Sequence, residues 1–183
     1  MACSNPTGRE KDESGFYPNS QADASADSPG FRIVLHQPEI PQNAGAIVRT
    51  CAAAGAQLHL VGPLGFRLDA AGVRRAGMDY REWTTVQRWN DWNHFQCHLP
   101  GNARLFAATT KAAQRHVEAV FQAGDWFVFG SEGSGLPPEI LTACIDRQLR
   151  IPMDPRARSL NLAQSVAVIL YEAARQIGFR GLL

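Results

Sequence analysis

Short apolar runs alternate with helix-like segments along most of the chain. The apolar runs predict six strands, at residues 31–36, 57–62, 84–89, 104–109, 125–130 and 147–152. The intervening segments predict helices near 43–54, 69–76, 90–97, 115–122 and 137–143, and a long last helix near 161–177. Because strands and helices alternate, we expect an α/β fold with a mostly parallel sheet and helices on both faces.

The last predicted helix carries apolar residues around most of its circumference. Such a helix is buried on more than one side, either by a second copy of the chain or by the core of its own domain. Asn161 and Gln164 are typical of a capping pair at its start. A homodimer is therefore one of two ways to cover this helix.

The first 30 residues differ in composition from the rest. They include five Ser, three Pro and three Gly but only two aromatic residues, which is too little apolar surface to offset the entropy of ordering. We predict a disordered tail at 1–30 and one folded domain at 31–183. No apolar block follows the charges near Arg9 and Glu13, so the segment is not a secretory signal and we expect a cytoplasmic protein.

Composition excludes several classes of protein. The chain has 183 residues, of which 45% are hydrophobic and 19% charged, which is typical of one globular domain. The longest apolar stretch, 160–171, contains polar residues and is shorter than the ~20 residues that cross a bilayer. The four cysteines are too far apart for a CxxC pair, so we expect no metal site and no disulfide framework, but buried thiols: Cys3, Cys51, Cys97 and Cys144.

The charge of the folded part is mildly basic. The tail holds two basic and five acidic residues, which leaves 16 basic and 12 acidic residues in 31–183. All but one of these 16 are arginines, the exception being Lys111. Arginine binds phosphate through two parallel hydrogen bonds. The bias is typical of an RNA-binding protein, although a composition bias without function explains it about as well.

The loop after the first predicted strand has two prolines and then opens a helix. Asn43 suits an N-cap there, and Arg49 follows within an otherwise apolar helix, where a single Arg needs either a partner or a function.

A second loop, GSEGSGLPPEI at 130–140, has three glycines that allow close approach of a ligand to the backbone. Its Glu132 is either a ligand-binding carboxylate or a solvated turn residue.

A third loop, RIPMDPRARSLNLAQS at 150–165, carries Arg150, Arg156 and Arg158, which are either a basic cluster or a solvated charged loop. Ser159 lacks the surroundings of a catalytic serine, since no GxSxG motif encloses it.

Five segments, taken together and in this order, resemble the SPOUT superfamily of RNA methyltransferases. They are IVLHQPEIPQNAGAIVRTCAAAG, RRAGMDY, LFAATTK, FGSEGSGLP and RIPMDPRARSLNLAQSVAVILYEAAR. Within it they resemble the small tRNA 2'-O-methyltransferases that modify the wobble nucleotide.

The resemblance implies a dimeric α/β domain with a C-terminal trefoil knot that binds S-adenosylmethionine without a metal. It further implies that four residues face the reacting centre: Asn43, Arg49, Glu132 and Asn161. The cofactor pocket would be lined by Ala108, Thr109, Gly130, Ile151 and Met153 and closed by Ser159 and Leu160. Lys111, Arg150 and Arg158 would contact tRNA phosphates in the anticodon stem-loop. Ser134 departs from the family pattern, because many relatives carry Arg at this loop position.

The chemistry suits these residue types. A ribose 2'-hydroxyl is a poor nucleophile, and its attack on a sulfonium methyl needs in-line placement and stabilisation of the developing alkoxide. Arg49 can provide that stabilisation, with a nearby phosphate as proton acceptor. Two other hypotheses stay open: a 2'-O-methyltransferase acting on rRNA or another tRNA position, and a non-enzymatic module that binds an adenine nucleotide.

Overall fold

The computed structural model describes residues 30–66 and 84–182. Six strands form one sheet: β1 (Arg32–His36), β2 (Gln57–Val61), β3 (Val86–Trp89), β4 (Leu105–Ala108), β5 (Trp126–Phe129) and β6 (Gln148–Leu149). The α-helices are α1 (Pro41–Ala53), α2 (Trp92–Cys97), α3 (Pro138–Ala143) and α4 (Leu162–Gln176). Short 3-10 turns occur at His116–Glu118 and Ile145–Arg147.

All strand pairs are parallel, and the strand order is β3-β2-β1-β5-β4-β6. The carboxyl ends of all six strands therefore lie at one edge of the sheet, where α/β proteins bind their ligands. β1 lies in the middle of the sheet, and all five of its residues are buried. The loops that follow β1, β4, β5 and β6 are consequently close neighbours.

Each face of the sheet has its own core. Alternate β1 residues point to opposite faces: Ile33 and Leu35 pack with α1 and α4, whereas Val34 packs with Trp92 and Ile140 of α2 and α3. Full burial of one such aliphatic side chain stabilises a fold by about 1.5–3 kcal/mol. The predicted α/β fold with helices on both faces is confirmed.

The long helix α4 buries one side in this core and leaves another exposed. Its buried residues are Leu162, Val166, Ile169, Leu170, Ala173 and Ala174. Val168 and Tyr171 lie on the opposite side and are 38% and 43% exposed. The monomer core thus covers α4 on one side only, and two large apolar side chains stay at the surface.

The prediction of a helix at 115–122 is wrong. Only the 3-10 turn His116–Glu118 forms, and the backbone is extended at Ala119. The side chain of Gln176 at the end of α4 accepts a hydrogen bond from the Phe121 amide and donates one to the Ala119 carbonyl. Because a side chain satisfies these backbone groups, the segment needs no helical hydrogen bonds.

The remaining predictions divide into confirmed, corrected and untested ones. All six strands are present, although β6 is only two residues long. Cys51 and Cys144 are buried as expected, whereas Cys97 is exposed because it ends α2 on the solvent side. The helix predicted at 69–76, the segment RRAGMDY, Cys3 and the tail at 1–30, apart from Gly30, lie outside the described residues.

Candidate active site

Three polar side chains from distant parts of the sequence form a hydrogen-bonded chain at the carboxyl edge of the sheet. Asn161 donates from Nδ2 to Oδ1 of Asn43 over 2.9 Å. Asn43 in turn donates from Nδ2 to Oε1 of Glu132 over 2.8 Å. We call Asn43, Glu132 and Asn161 the polar network. It joins the first turn of α1, the loop after β5 and the start of α4.

The start of α1 explains how Asn43 enters the network. The helix begins at Pro41 with Ile40 as its N-cap, because proline is preorganised for the first helical position. The prediction that Asn43 is the N-cap is therefore wrong. Asn43 lies inside the first turn, is 8% exposed and uses both ends of its amide for the network.

Glu132 is held by more than Asn43. Its Oε2 accepts the backbone N–H of Glu39 at 2.8 Å, and its Oε1 accepts that of Ile40 at 3.3 Å. The carboxylate therefore fixes the extended segment that leads into α1. Of the two readings of Glu132, the solvated turn residue is wrong, since three N–H groups contact its carboxylate. The sequence carries no signal for the two backbone donors, which belong to residues 39 and 40.

The loop after β5 folds back on itself. The Gly135 amide donates to the Ser131 carbonyl at 3.0 Å, and the hydroxyls of Ser131 and Ser134 are hydrogen-bonded at 2.7 Å. A Cβ atom on Gly130 would collide with the backbone of Gly135 and Leu136, so only glycine fits there. Ser134 thus uses its hydroxyl for a contact within the loop.

The loops after β4 and β6 lie next to each other. The Thr109 amide donates to the Leu149 carbonyl at 2.8 Å, which ties the end of β4 to β6. Half-buried side chains follow on both loops: Ala108, Thr109, Ile151, Met153 and Leu160. Ser159 is exposed. Apolar side chains at a carboxyl edge, beside a glycine loop, suit an adenosine group.

The basic residues of this edge are exposed. Lys111 and Arg150 lie on adjacent segments, since Arg150 donates from Nε to the Ala113 carbonyl at 3.3 Å. Arg158 is also exposed, whereas Arg156 pairs with Asp154 through two hydrogen bonds of 2.9 Å. Lys111, Arg150 and Arg158 are therefore accessible to an anionic ligand.

Arg49 does not join the polar network within one chain. It follows Asn43 by six residues, which places it about 9 Å further along α1 and about 120° around the helix axis. It lies on the exposed side of α1 with Gln42, Ala46 and Ala53. The structure thus brings together three of the four predicted reacting-centre residues and places the fourth on a neighbouring surface of the same helix.

Neither a metal-ligand group nor a membrane-spanning helix occurs in the part of the chain that the structure describes. Within 30–66 and 84–182, no three or more His, Cys, Asp or Glu residues are grouped so that they could hold a metal ion. No helix in the same ranges is long and apolar enough to cross a membrane.

Comparison with known proteins identifies the family. Residues 30–171 match the model of the SpoU rRNA Methylase family. A tRNA (cytidine(34)-2'-O)-methyltransferase of Burkholderia cenocepacia (strain HI2424) is 50% identical over 153 residues, which are 82% of this chain and 98% of that protein.

Solved structures agree with this match. A structure described as giving insight into the 2-OH methylation of C/U34 on tRNA is 44% identical, with a TM-score of 0.78 over 83% of this chain and 99% of that one. An AdoMet-bound rRNA methyltransferase from Sinorhizobium meliloti is 27% identical, with a TM-score of 0.72 over 81% of this chain and 57% of that one. The chain belongs to the SpoU family of RNA methyltransferases, as the five sequence motifs predicted.

Proposed function

We propose that this protein transfers a methyl group from S-adenosylmethionine to the ribose 2'-hydroxyl of the wobble nucleotide, cytidine or carboxymethylaminomethyluridine, in the tRNA anticodon loop. The polar network is the observation that carries the proposal, because it joins residues of three family motifs at the ligand-binding edge of the sheet. This chain covers nearly the whole length of the relatives that act on position 34 of tRNA. A tRNA substrate also implies that the protein acts in the cytoplasm.

Three neighbouring loops fit the cofactor. Gly130 lets the loop after β5 fold tightly, and Ile151, Met153 and Leu160 offer apolar surface for the adenosine and methionine groups. Ala108 and Thr109 would line the same pocket, and the exposed Ser159 would close it. When bound, S-adenosylmethionine supplies an electrophilic methyl group on a sulfonium, which needs no metal.

The polar network positions the ribose and does not take its proton. Both oxygens of Glu132 already accept N–H groups, so the carboxylate serves to hold Asn43 and the segment before α1. Asn161 fixes the Asn43 amide from the other side. Arg49 supplies positive charge beside the developing alkoxide, which lowers the barrier most where water is excluded.

A homodimer would bring Arg49 to such a site. In one chain, Arg49 lies on the exposed side of α1, away from the polar network. The exposed Val168 and Tyr171 of α4 and the N-cap residue Ile40 add apolar surface that a second copy can cover. We therefore propose that each active site combines the polar network of one chain with Arg49 of the other.

The exposed cations would hold the RNA. Lys111, Arg150 and Arg158 lie beside the proposed cofactor loops, where they can contact phosphates and fix the orientation of the anticodon stem-loop. Ser134 makes its contact within its own loop and contributes no positive charge to RNA binding.

The decisive experiment is methylation of synthetic anticodon stem-loops with C34 or a modified U34, followed by nucleoside mass spectrometry. The expected product is a 2'-O-methylated wobble nucleoside, formed in the presence of a metal chelator. Methylation only of an rRNA fragment or of another tRNA position would favour the rRNA or other-position hypothesis. Binding of the cofactor without methylation of any RNA would favour a non-enzymatic module.

A further inference from the structure

A cavity lies at the carboxyl edge of the sheet, on the face opposite to α1 and α4. Its volume is about 270 Å³, and its lining residues include His36, Gln37, Trp92, Asn93, Gln96 and Glu139. The first two end β1 and begin the next loop, the next three belong to α2, and Glu139 lies in the first turn of α3. None of these residues belongs to the polar network or to the proposed cofactor loops.

His36 is the buried titratable group in the wall of this cavity. The residue is only 6% exposed. Its ring packs edge-on against Trp92, with 6.1 Å between the ring centroids. Burial lowers the pKa of His36, against the opposing effect of Glu139, so the ring is neutral near pH 7. It therefore offers one N–H donor and one lone pair to a molecule in the cavity.

The other lining groups define the chemistry of that molecule. Asn93, Gln37 and Gln96 supply amides that both donate and accept, and Glu139 and Asp91 supply carboxylates that only accept. Two carboxylates disfavour a phosphate or any other anion. Amides and carboxylates beside an aromatic ring are the groups that read the edge of an unpaired base, and carboxylates select bases with an amino group.

The cavity is connected to the polar network through one short segment. Gln37 lines the cavity, and Glu39, two residues later, donates its backbone N–H to Glu132. Two residues span at most about 7 Å. Gln37 also has a φ of 50°, a left-handed conformation that is uncommon outside glycine. A nucleotide adjacent to the one held at the polar network can reach this cavity.

We infer that this cavity binds the amino-bearing base of an unpaired nucleotide next to the methylated one, and so selects the anticodon loops that the enzyme accepts. The inference rests on the proposed function and extends it to substrate choice. It assigns to Glu139, Gln96 and His36 a role in base recognition that is separate from the chemistry of methyl transfer.

The test uses anticodon stem-loops that differ only in the base on either side of position 34. Dissociation constants and single-turnover rates are measured for the wild type, Glu139→Gln and Gln96→Ala. Both substituted residues are exposed, so the variants are expected to fold. Asp146→Asn is the matched control, because Asp146 is an exposed carboxylate outside the cavity.

We expect the wild type to bind RNAs with an amino-bearing base at one of these positions about tenfold more tightly than RNAs with uridine there. Glu139→Gln and Gln96→Ala should lose most of this preference while binding the uridine RNA as the wild type does. Asp146→Asn should keep the preference. Removal of the amino group alone, by purine riboside in place of adenosine, should weaken binding by the wild type and leave Glu139→Gln unaffected.

The possible failures are distinct. If the wild type methylates the stem-loops but does not distinguish the neighbouring bases, or if both cavity variants keep the full preference, the inference is wrong and the proposed function stands. If the wild type methylates none of the stem-loops, the proposed function and the inference are overturned together.

Discussion

Asn161 and Asn43 are 118 residues apart in the sequence and joined by a hydrogen bond of 2.9 Å. Asn161 has a second task, since its Oδ1 accepts the amides of Ala163 and Gln164 and so caps α4. One side chain thus stabilises the helix with its oxygen and orients Asn43 with its nitrogen. The two roles can be separated by substitution.

Asn161→Ser keeps a capping oxygen but loses the donor to Asn43, whereas Asn161→Ala loses both. We expect Asn161→Ala to lower the free energy of unfolding by about 1 kcal/mol more than Asn161→Ser, because serine is a good N-cap. Both variants should lose methyl transfer to a similar extent, at least tenfold. Urea unfolding and single-turnover methylation of the same samples measure the two effects. Activity that followed stability across the pair would argue against a role in positioning.

Glu132→Gln tests the second link of the network. In the variant, an NH2 group replaces one of the two carboxylate oxygens, and an NH2 group cannot accept a hydrogen bond. At least one of the three N–H groups therefore loses its acceptor, which lowers the free energy of unfolding by about 1–3 kcal/mol. We expect lower stability and a large loss of turnover. Asp146→Asn, which removes an exposed carboxylate elsewhere, should change neither. A fully active Glu132→Gln protein would reject the positioning role.

Arg49→Ala tests the proposed electrostatic role. If Arg49 acts on the transition state and not on folding, the thermal midpoint and cofactor affinity should stay nearly unchanged, while turnover falls on the order of a hundredfold or more. Arg49→Lys keeps the charge but loses the planar guanidinium, so it should also be impaired. Arg147→Ala, at an exposed arginine before β6, is the control. A large loss of stability would instead indicate a structural role for Arg49.

Mixing two inactive variants tests whether Arg49 acts in the partner's site. If each site combines Asn43 of one chain with Arg49 of the other, heterodimers of Arg49→Ala and Asn43→Ala contain one intact site. Random exchange of equal amounts should then restore about a quarter of the wild-type turnover. If both residues act within one chain, or if the chain is monomeric, the mixture stays inactive.

Gly130→Ala should destroy the cofactor loop. The added Cβ would overlap the backbone of Gly135 and Leu136, which cannot move without opening the loop. We expect calorimetry to show no binding of S-adenosylmethionine and unfolding to occur at lower temperature. Gly101→Ala is the control, since nothing lies within 4 Å of its added Cβ. Normal cofactor binding by Gly130→Ala would exclude this loop from the pocket.

His59 should make the protein sensitive to acid. Burial, aided by the charge of Arg32, lowers the pKa of His59 from 6.5 to about 3, and its Nδ1 accepts a hydrogen bond from Trp89 Nε1. Between these values the unfolded chain takes up a proton that the native protein does not. The free energy of unfolding therefore falls as the pH drops from about 6.5 to about 3, by up to about 1.4 kcal/mol per pH unit.

His59→Gln removes this proton uptake. Urea unfolding at several pH values should show a flatter acid dependence for the variant than for the wild type, although the variant is less stable at pH 7. Equal slopes for the two proteins would mean that His59 is protonated in the native state.

The sequence predicted the sheet well because parallel strands buried on both faces are continuous apolar runs, as at Phe127 and Val128. It failed at 115–122, where a helix-like pattern is overridden by Gln176, a residue more than 50 positions away. For the site, motif resemblance named the network residues, but only the structure showed that Asn43 lies inside α1. The trefoil knot, which no local pattern encodes, stays a prediction.

The contact between Asn43 and Asn161 also has a consequence for biosynthesis. A ribosome adds about 5–20 residues per second, so roughly 6 to 24 seconds separate the synthesis of the two asparagines. During that interval α1 has no α4 to pack against, and its apolar side is open to chaperones. The polar network therefore cannot be completed until residue 161 has been synthesised, and a chain interrupted before that residue lacks the contact that orients Asn43.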